Sequence, residues 1–278
     1  CSPLQPLAAL FIPHHIPPRL KPLHHPSPPV LSPHSSPQVP KRWFIYFYLC
    51  GLCVNTVLFA MSIVSQAPLV LVALLYQCHL FRRLYECVNV HRFSSQATMH
   101  VFHFLFGMVY YLLVPLSLYS MGQTAATTPP AMPTTTTTTT TTLLHVAGHC
   151  LGVGVYLYGS YEQSQTHLLL RQLRTPKPSS SRQNPGRGPH YFIPYGRLFH
   201  YLSSPHYSCE ILIYVGVCLV ASGGSPGNGS DPWLWLGLLL TTSLNLGMSA
   251  WECHQWYGAT FGTTYERLRR GILVPGVW

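Results

Sequence analysis

Two arginines three residues apart, Arg171 and Arg174, share one face of the helix-forming run THLLLRQLR at 166–174. Downstream, YFIPYGRLFHY at 191–201 sets aromatic and basic residues around a turn built on Pro194 and Gly196. Guanidiniums grip phosphate oxygens in pairs, and aromatic rings stack on flat heterocycles. Such a combination can hold a nucleotide cofactor. It equally suits an interfacial belt of aromatics with arginines reaching toward water. The chain has no G-x-G-x-x-G or G-x-x-x-x-G-K-[ST] run, so any nucleotide is bound without a Rossmann turn or a P-loop.

Acidic residues are scarce: Glu86, Glu162, Glu210, Asp231, Glu252 and Glu266 are all there are. Glu210 lies one turn into an apolar segment, where an unpaired carboxylate is costly, and it reads as a functional group. Glu86 follows Arg82 and Arg83 at helical spacing and reads as an ion-pair partner, as does Glu252 at a segment end. The pairs His100/His103 and His145/His149 have metal-ligand spacing on a helix. They fall at opposite ends of their segments and no H-x-x-H-H run accompanies them, so polar packing is expected there and no metal. Cys50 and Cys53 form a C-x-x-C with no second pair at zinc-finger spacing, so they read as core.

The elements that must position these groups are apolar. Of 278 residues, 47% are hydrophobic and 8% charged, against about a quarter charged in soluble domains. Apolar blocks run near 43–62, 67–81, 99–120, 143–162, 207–222 and 233–253, each close to the length that crosses a bilayer. The second is short unless it continues through Leu84 and Tyr85, with Arg82 and Arg83 snorkelling. The expected fold is all-α, a polytopic transmembrane helical bundle with six spans. The formal charge of +10 reads as membrane topology, and no nucleic acid is expected as a partner.

The basic residues fall into alternate connections. Lys41 and Arg42 precede the first block, Arg82, Arg83 and Arg92 follow the second, Arg171 to Arg197 join the fourth to the fifth, and Arg267, Arg269 and Arg270 follow the sixth. The connections at 63–66, 121–142 and 223–232 hold no lysine or arginine. By the positive-inside rule the basic side is cytosolic, and both termini of the chain face the cytosol. The threonine run Thr134 to Thr142 and the sequon Asn228-Gly229-Ser230 then fall on the lumenal side. Residues 1–38, rich in proline, histidine and serine, read as a disordered leader or an aberrant gene end, and residues 39–278 as the membrane-embedded domain.

Several stretches carry a resemblance: VPKRWFIYFY at 39–48, HLFRRLYEC at 79–87, FSSQATMHVFHFLFGMVYYLLVPL at 93–116, HLLLRQLR at 167–174, IPYGRLFHYLSSPHYSCEILIY at 193–214, SAWECHQWY at 249–257 and YERLRRGILVPGVW at 265–278. Their order and spacing resemble the steroid 5α-reductase family, most closely its polyprenol reductase branch. The resemblance implies an NADPH-dependent reductase of the endoplasmic reticulum membrane. Its substrate would be a long-chain polyprenoid lipid, polyprenol or polyprenal, saturated at the α-isoprene unit in dolichol synthesis for protein N-glycosylation. It also implies about seven spans, one more than the apolar blocks give.

Residue by residue, the resemblance implies cofactor contacts at His91, Arg92, Gln163, His167, Arg174, His206 and Glu210. His254 and Tyr257 match the family's H-x-[FW]-Y motif. With Tyr46, they are the candidate donors that would stabilise charge on the substrate oxygen and supply a proton. Leu80 stands where the steroid enzymes have a substrate-binding tyrosine, which suits the polyprenoid branch. A steroid 3-oxo-Δ4 reductase, a very-long-chain enoyl reductase and a non-catalytic lipid-binding or transport protein remain the alternatives at this point.

Overall fold

The computed structural model describes residues 37–65, 70–91, 93, 97–127, 138–173, 192–223 and 232–277. Six long helices coincide with the six apolar blocks: α1 (Phe44–Val64), α2 (Val70–Asn89), α3 (Val101–Thr127), α4 (Thr138–Leu173), α5 (Pro205–Gly223) and α6 (Pro232–Phe261). A short α7 (Thr263–Glu266) follows. By length and composition, Lys41–Val64 and Val101–Ser120 are apolar enough to cross a membrane. The outward faces carry bare apolar side chains such as Phe102, Leu244 and Met248. Apolar surface of this extent suits lipid rather than water.

Four helices, α2, α3, α4 and α6, run past the ends of their apolar blocks. α2 continues to Asn89, and its Arg83 turns inward instead of snorkelling, because two carboxylates and a phenol wait inside. α4 begins within the threonine run and continues past the apolar block to Leu173. Its last turns, beyond the apolar block, carry Gln163, His167 and Arg171. One feature is additional to the expected all-α fold. β1 (Gln38–Pro40) pairs antiparallel with β2 (Thr98–His100), Val39 opposite Met99, and ties the start of α1 to the start of α3.

Helix contacts follow small residues and buried polar groups. A Cβ on Gly216 would come within 2.6 Å of the Tyr156 amide nitrogen, and one on Gly152 within 2.7 Å of the Val220 nitrogen. Backbones of α4 and α5 therefore touch directly, as small residues permit between membrane helices. Tyr156 donates to the Leu75 carbonyl at 2.8 Å and fastens α4 to α2. Asn55 donates to the Gln77 side-chain oxygen at 2.6 Å, linking α1 to α2. Tyr110 and Thr242 pair at 2.7 Å between α3 and α6. The core of these contacts includes Val72, Tyr76, Leu80, Ile213, Val217 and Trp235.

The C-terminal tail closes one end. After α7 the chain returns to the segment before α5, where Gly271 donates to the Tyr201 carbonyl at 2.8 Å and accepts from the Ser203 amide at 2.9 Å. The Arg270 guanidinium donates to the Pro194 carbonyl at 2.8 Å and lies over the Tyr195 ring. Burial of this guanidinium pulls its pKa below the usual arginine value.

Candidate active site

The carboxylate of Glu86, near the end of α2, is held by the two arginines of its own helix. Arg82 and Arg83 each approach it at 2.7 Å, as the three- and four-residue spacing leads one to expect. Neighbouring α4 adds His167, with Nδ1 at 2.8 Å, and Ser164, whose hydroxyl donates at 2.7 Å. Arg83 then reaches past Glu86 and donates to the Tyr48 hydroxyl on α1 at 2.9 Å. Its Nε lies 3.7 Å from Glu210 on α5.

Glu210 is buried, and it has acquired partners rather than remaining a lone charge. His79 of α2 brings Nε2 to 3.0 Å. Gln163 of α4 donates to the same carboxylate, and also to the His206 carbonyl at 3.0 Å. Arg82 in turn donates to the Gln163 oxygen at 2.6 Å. Four helices thus meet in one network in which each charge has a counter-charge, the condition under which buried ions are tolerated.

This network forms the polar wall of a cavity of about 280 Å³. Its polar end is lined by Arg83, His91, Gln163, His167, His206 and Glu210, and Arg171 also faces it. Aromatic side chains line it too: Phe44, Phe47, Phe106, Tyr110 and Tyr111. A stripe from α6 completes it: Thr242, Asn245, Ser249, Cys253 and Tyr257. An apolar chamber with a few convergent polar groups is the usual form of a small-molecule site. His206 Nδ1 is buried with no hydrogen-bond partner among the described residues, so the wall presents a polar atom that a ligand could satisfy.

His91 sits just after α2, with its ring 4.6 Å from that of His167. Burial, then the neighbouring His167 and Arg83, push its pKa down to about 2. Glu86, His91 and His167 bring three ligand-type atoms within 4.8 Å of one another. Glu86, however, already carries two guanidiniums, and their charge opposes a metal cation at the same oxygens.

The family model described as 3-oxo-5-alpha-steroid 4-dehydrogenase matches residues 133–278, which include the Gln163, His167, His206, Glu210 and Tyr257 wall. The chain belongs to that family. Among curated relatives of this steroid dehydrogenase family member, polyprenal reductase 2 of Arabidopsis thaliana is 31% identical over 205 residues, covering 68% of this chain and 55% of the relative. Polyprenal reductase 1 of Oryza sativa subsp. indica is 33% identical over 221 residues, covering 73% and 58%. Polyprenal reductase of Homo sapiens is 28% identical over 265 residues, covering 84% and 77%. The chain therefore spans little more than half the length of the first two.

Of the residues expected from sequence, His91, Gln163, His167, His206, Glu210 and Tyr257 converge on the one cavity. Arg92 and Arg174 lie outside the described residues. His254 is not in the cavity wall. Its Nδ1 faces the Tyr265 hydroxyl at 3.0 Å, and Tyr265 stacks on Tyr257 at 5.1 Å. Tyr46 lies elsewhere: it is 48% exposed, packs against Trp43, and is not in the cavity lining. Two residues along a helix turn the side chain about 200°, so Tyr48 faces inward where Tyr46 cannot. Sequence reasoning missed Tyr48, Tyr111 and the inward turn of Arg83. The only available signal for Arg83 was its three-residue spacing to Glu86.

Proposed function

We propose that this chain is an NADPH-dependent reductase that saturates the α-isoprene double bond of a long-chain polyprenal in dolichol synthesis. One observation carries the reading: five of the side chains expected to grip the cofactor, His91, Gln163, His167, His206 and Glu210, come from three separate stretches of sequence and line one cavity with aromatic side chains. The curated relatives named above are polyprenal reductases, which favours a polyprenoid over a steroid. On this reading the chain is a six-span protein of the endoplasmic reticulum membrane, with its basic connections and both termini cytosolic.

The polar wall suits the cofactor end of such a reaction. When bound, the reduced nicotinamide supplies a hydride to the β-carbon of the enal. Glu210 and His206 offer an acceptor and a ring nitrogen without a partner among the described residues for its polar edge. Arg171 and Arg174 would meet phosphate oxygens, a task for which the planar guanidinium is suited. The phenylalanines exclude water from the chamber, which strengthens every polar contact inside it. Tyr257 stands at the α6 side of the same chamber as a donor to the substrate. His254 would act through Tyr265 and Tyr257.

NADPH consumption by the detergent-purified protein tests the reading, with polyprenal, polyprenol and a 3-oxo-Δ4 steroid offered separately. Saturation of polyprenal is the expected result. Turnover of the steroid alone, or no NADPH binding, overturns it.

A further inference from the structure

We infer that Tyr48 is the hydrogen-bond donor to the substrate's carbonyl oxygen and that Arg83 is the residue that positions it. The inference rests on the enal-reductase reading above. Tyr48 is buried to 6% exposure and lines the cavity. Arg83 donates to its hydroxyl at 2.9 Å and lies over its ring at 5.3 Å. A guanidinium has no acceptor, so the Tyr48 oxygen must accept this bond. The hydroxyl proton is left to point elsewhere: the Tyr111 hydroxyl lies within hydrogen-bond reach, and the residue also borders the chamber. A phenol whose oxygen accepts from a cation is a stronger donor through its own proton, because such hydrogen bonds polarise one another.

The remaining neighbours fix the geometry. Tyr111 packs edge-on against Tyr48 at 5.3 Å, and Phe47 stacks on Tyr111 at 5.9 Å. Arg83 is anchored in turn by Glu86 at 2.7 Å and faces Glu210 at 3.7 Å. The guanidinium therefore joins the carboxylates of the cofactor wall to the phenol of the substrate wall. His254 and Tyr46 cannot take this place, since neither lines the cavity.

In the reduction, the hydride adds its electron pair to the β-carbon. The carbon–carbon π electrons move to the α-carbon and oxygen, giving an enolate. Tyr48 holds that oxygen by its hydrogen bond and keeps its own proton. Tyr257, which lines the same cavity, gives its proton to the α-carbon and regains one from solvent after the saturated aldehyde leaves. The donor is thus aimed at charge that exists only as the reaction proceeds, where preorganised donors have their largest effect.

The test is Tyr48→Phe, which keeps the ring and removes the hydroxyl, with Arg83→Lys and Tyr111→Phe beside it. With polyprenal and NADPH, kcat for Tyr48→Phe should fall by about 10²-fold, the effect of losing one such donor, while the Kd for NADPH stays near the wild-type value. Arg83→Lys should lower kcat less, because the charge remains while the fork geometry is lost. Unchanged kcat in Tyr48→Phe overturns the inference, and so does a loss of NADPH binding, which would make Tyr48 a scaffold residue. A larger effect from Tyr111→Phe moves the donor to Tyr111 and overturns it as well. A wild-type protein that binds NADPH but reduces no enal sinks the underlying reading and this inference with it. An active wild type with an unaffected Tyr48→Phe sinks the inference alone.

Discussion

His79 on α2 and Glu210 on α5 face each other inside the helix bundle, with Nε2 and Oε1 3.0 Å apart. Neither side chain has water to fall back on: His79 is fully buried and Glu210 is 8% exposed. Such a pair is strongly destabilised when one partner goes, because the other is left as an uncompensated buried group. Glu210→Gln is expected to cost about 3–5 kcal/mol of stability, since Arg83 and His79 lose the same carboxylate. It should also weaken NADPH binding. Thermal unfolding in detergent and a NADPH titration check the two effects separately; an unchanged melting temperature would contradict the network as described.

The α4–α5 contact leaves no room for a side chain at its crossing. A methyl group on Gly216 would lie 2.6 Å from the Tyr156 nitrogen and 2.7 Å from the Gly152 carbonyl oxygen. Both neighbours are backbone and cannot rotate aside. Gly216→Ala is expected to separate the two helices and lower stability by at least the 1–3 kcal/mol typical of overpacking, about 2 kcal/mol or more. Gly237→Ala, at a site with nothing within 4 Å, serves as the comparison, and its melting temperature should stay at the wild-type value.

Acid should destabilise the protein through His91. Its pKa is about 2 in the fold, against about 6.5 in an unfolded chain. Between these values the unfolded chain binds the proton and the folded one does not, so unfolding becomes easier as pH falls below about 6.5. This group alone contributes up to about 1.4 kcal/mol per pH unit in that window. The slope of stability against pH from 7 to 5 should flatten in His91→Gln. An identical slope in the variant would contradict a neutral, buried His91.

His254 and Tyr265 form one contact behind Tyr257, with Nδ1 and hydroxyl 3.0 Å apart. Burial raises the pKa of the Tyr265 phenol to about 12, so it stays protonated at working pH. His254→Ala and Tyr265→Phe should each lower kcat/KM by loosening Tyr257. The double variant should be no worse than the worse single one, since both break the same interaction. Additive losses in the cycle would give His254 a separate role at the reacting atoms.

Much of the architecture was legible in the chain alone. Blocks of apolar residues near bilayer length became the six long helices, because length and hydropathy act locally and need no partner. Glu86 could be read as an ion-pair residue, since its arginines lie three and four positions away on the same helix. Six of the expected site residues also reach one cavity, because their motifs stand at the ends of those helices.

Helix rotation and pairing were not legible, and they decide the chemistry. α1 and α3 are apolar all round, so no periodicity indicates which face turns inward. Only the packed structure turns Tyr48 to the cavity and Tyr46 away from it. Arg83 resembles any snorkelling arginine until α1 and α5 bring Tyr48 and Glu210 within its reach, partners 35 and 127 positions away in sequence. The apolar period, the spacing of charges and the motifs are properties of neighbours in the chain. The donor, its positioning guanidinium and the counter-charges are properties of four helices meeting, and only the tertiary structure could decide them.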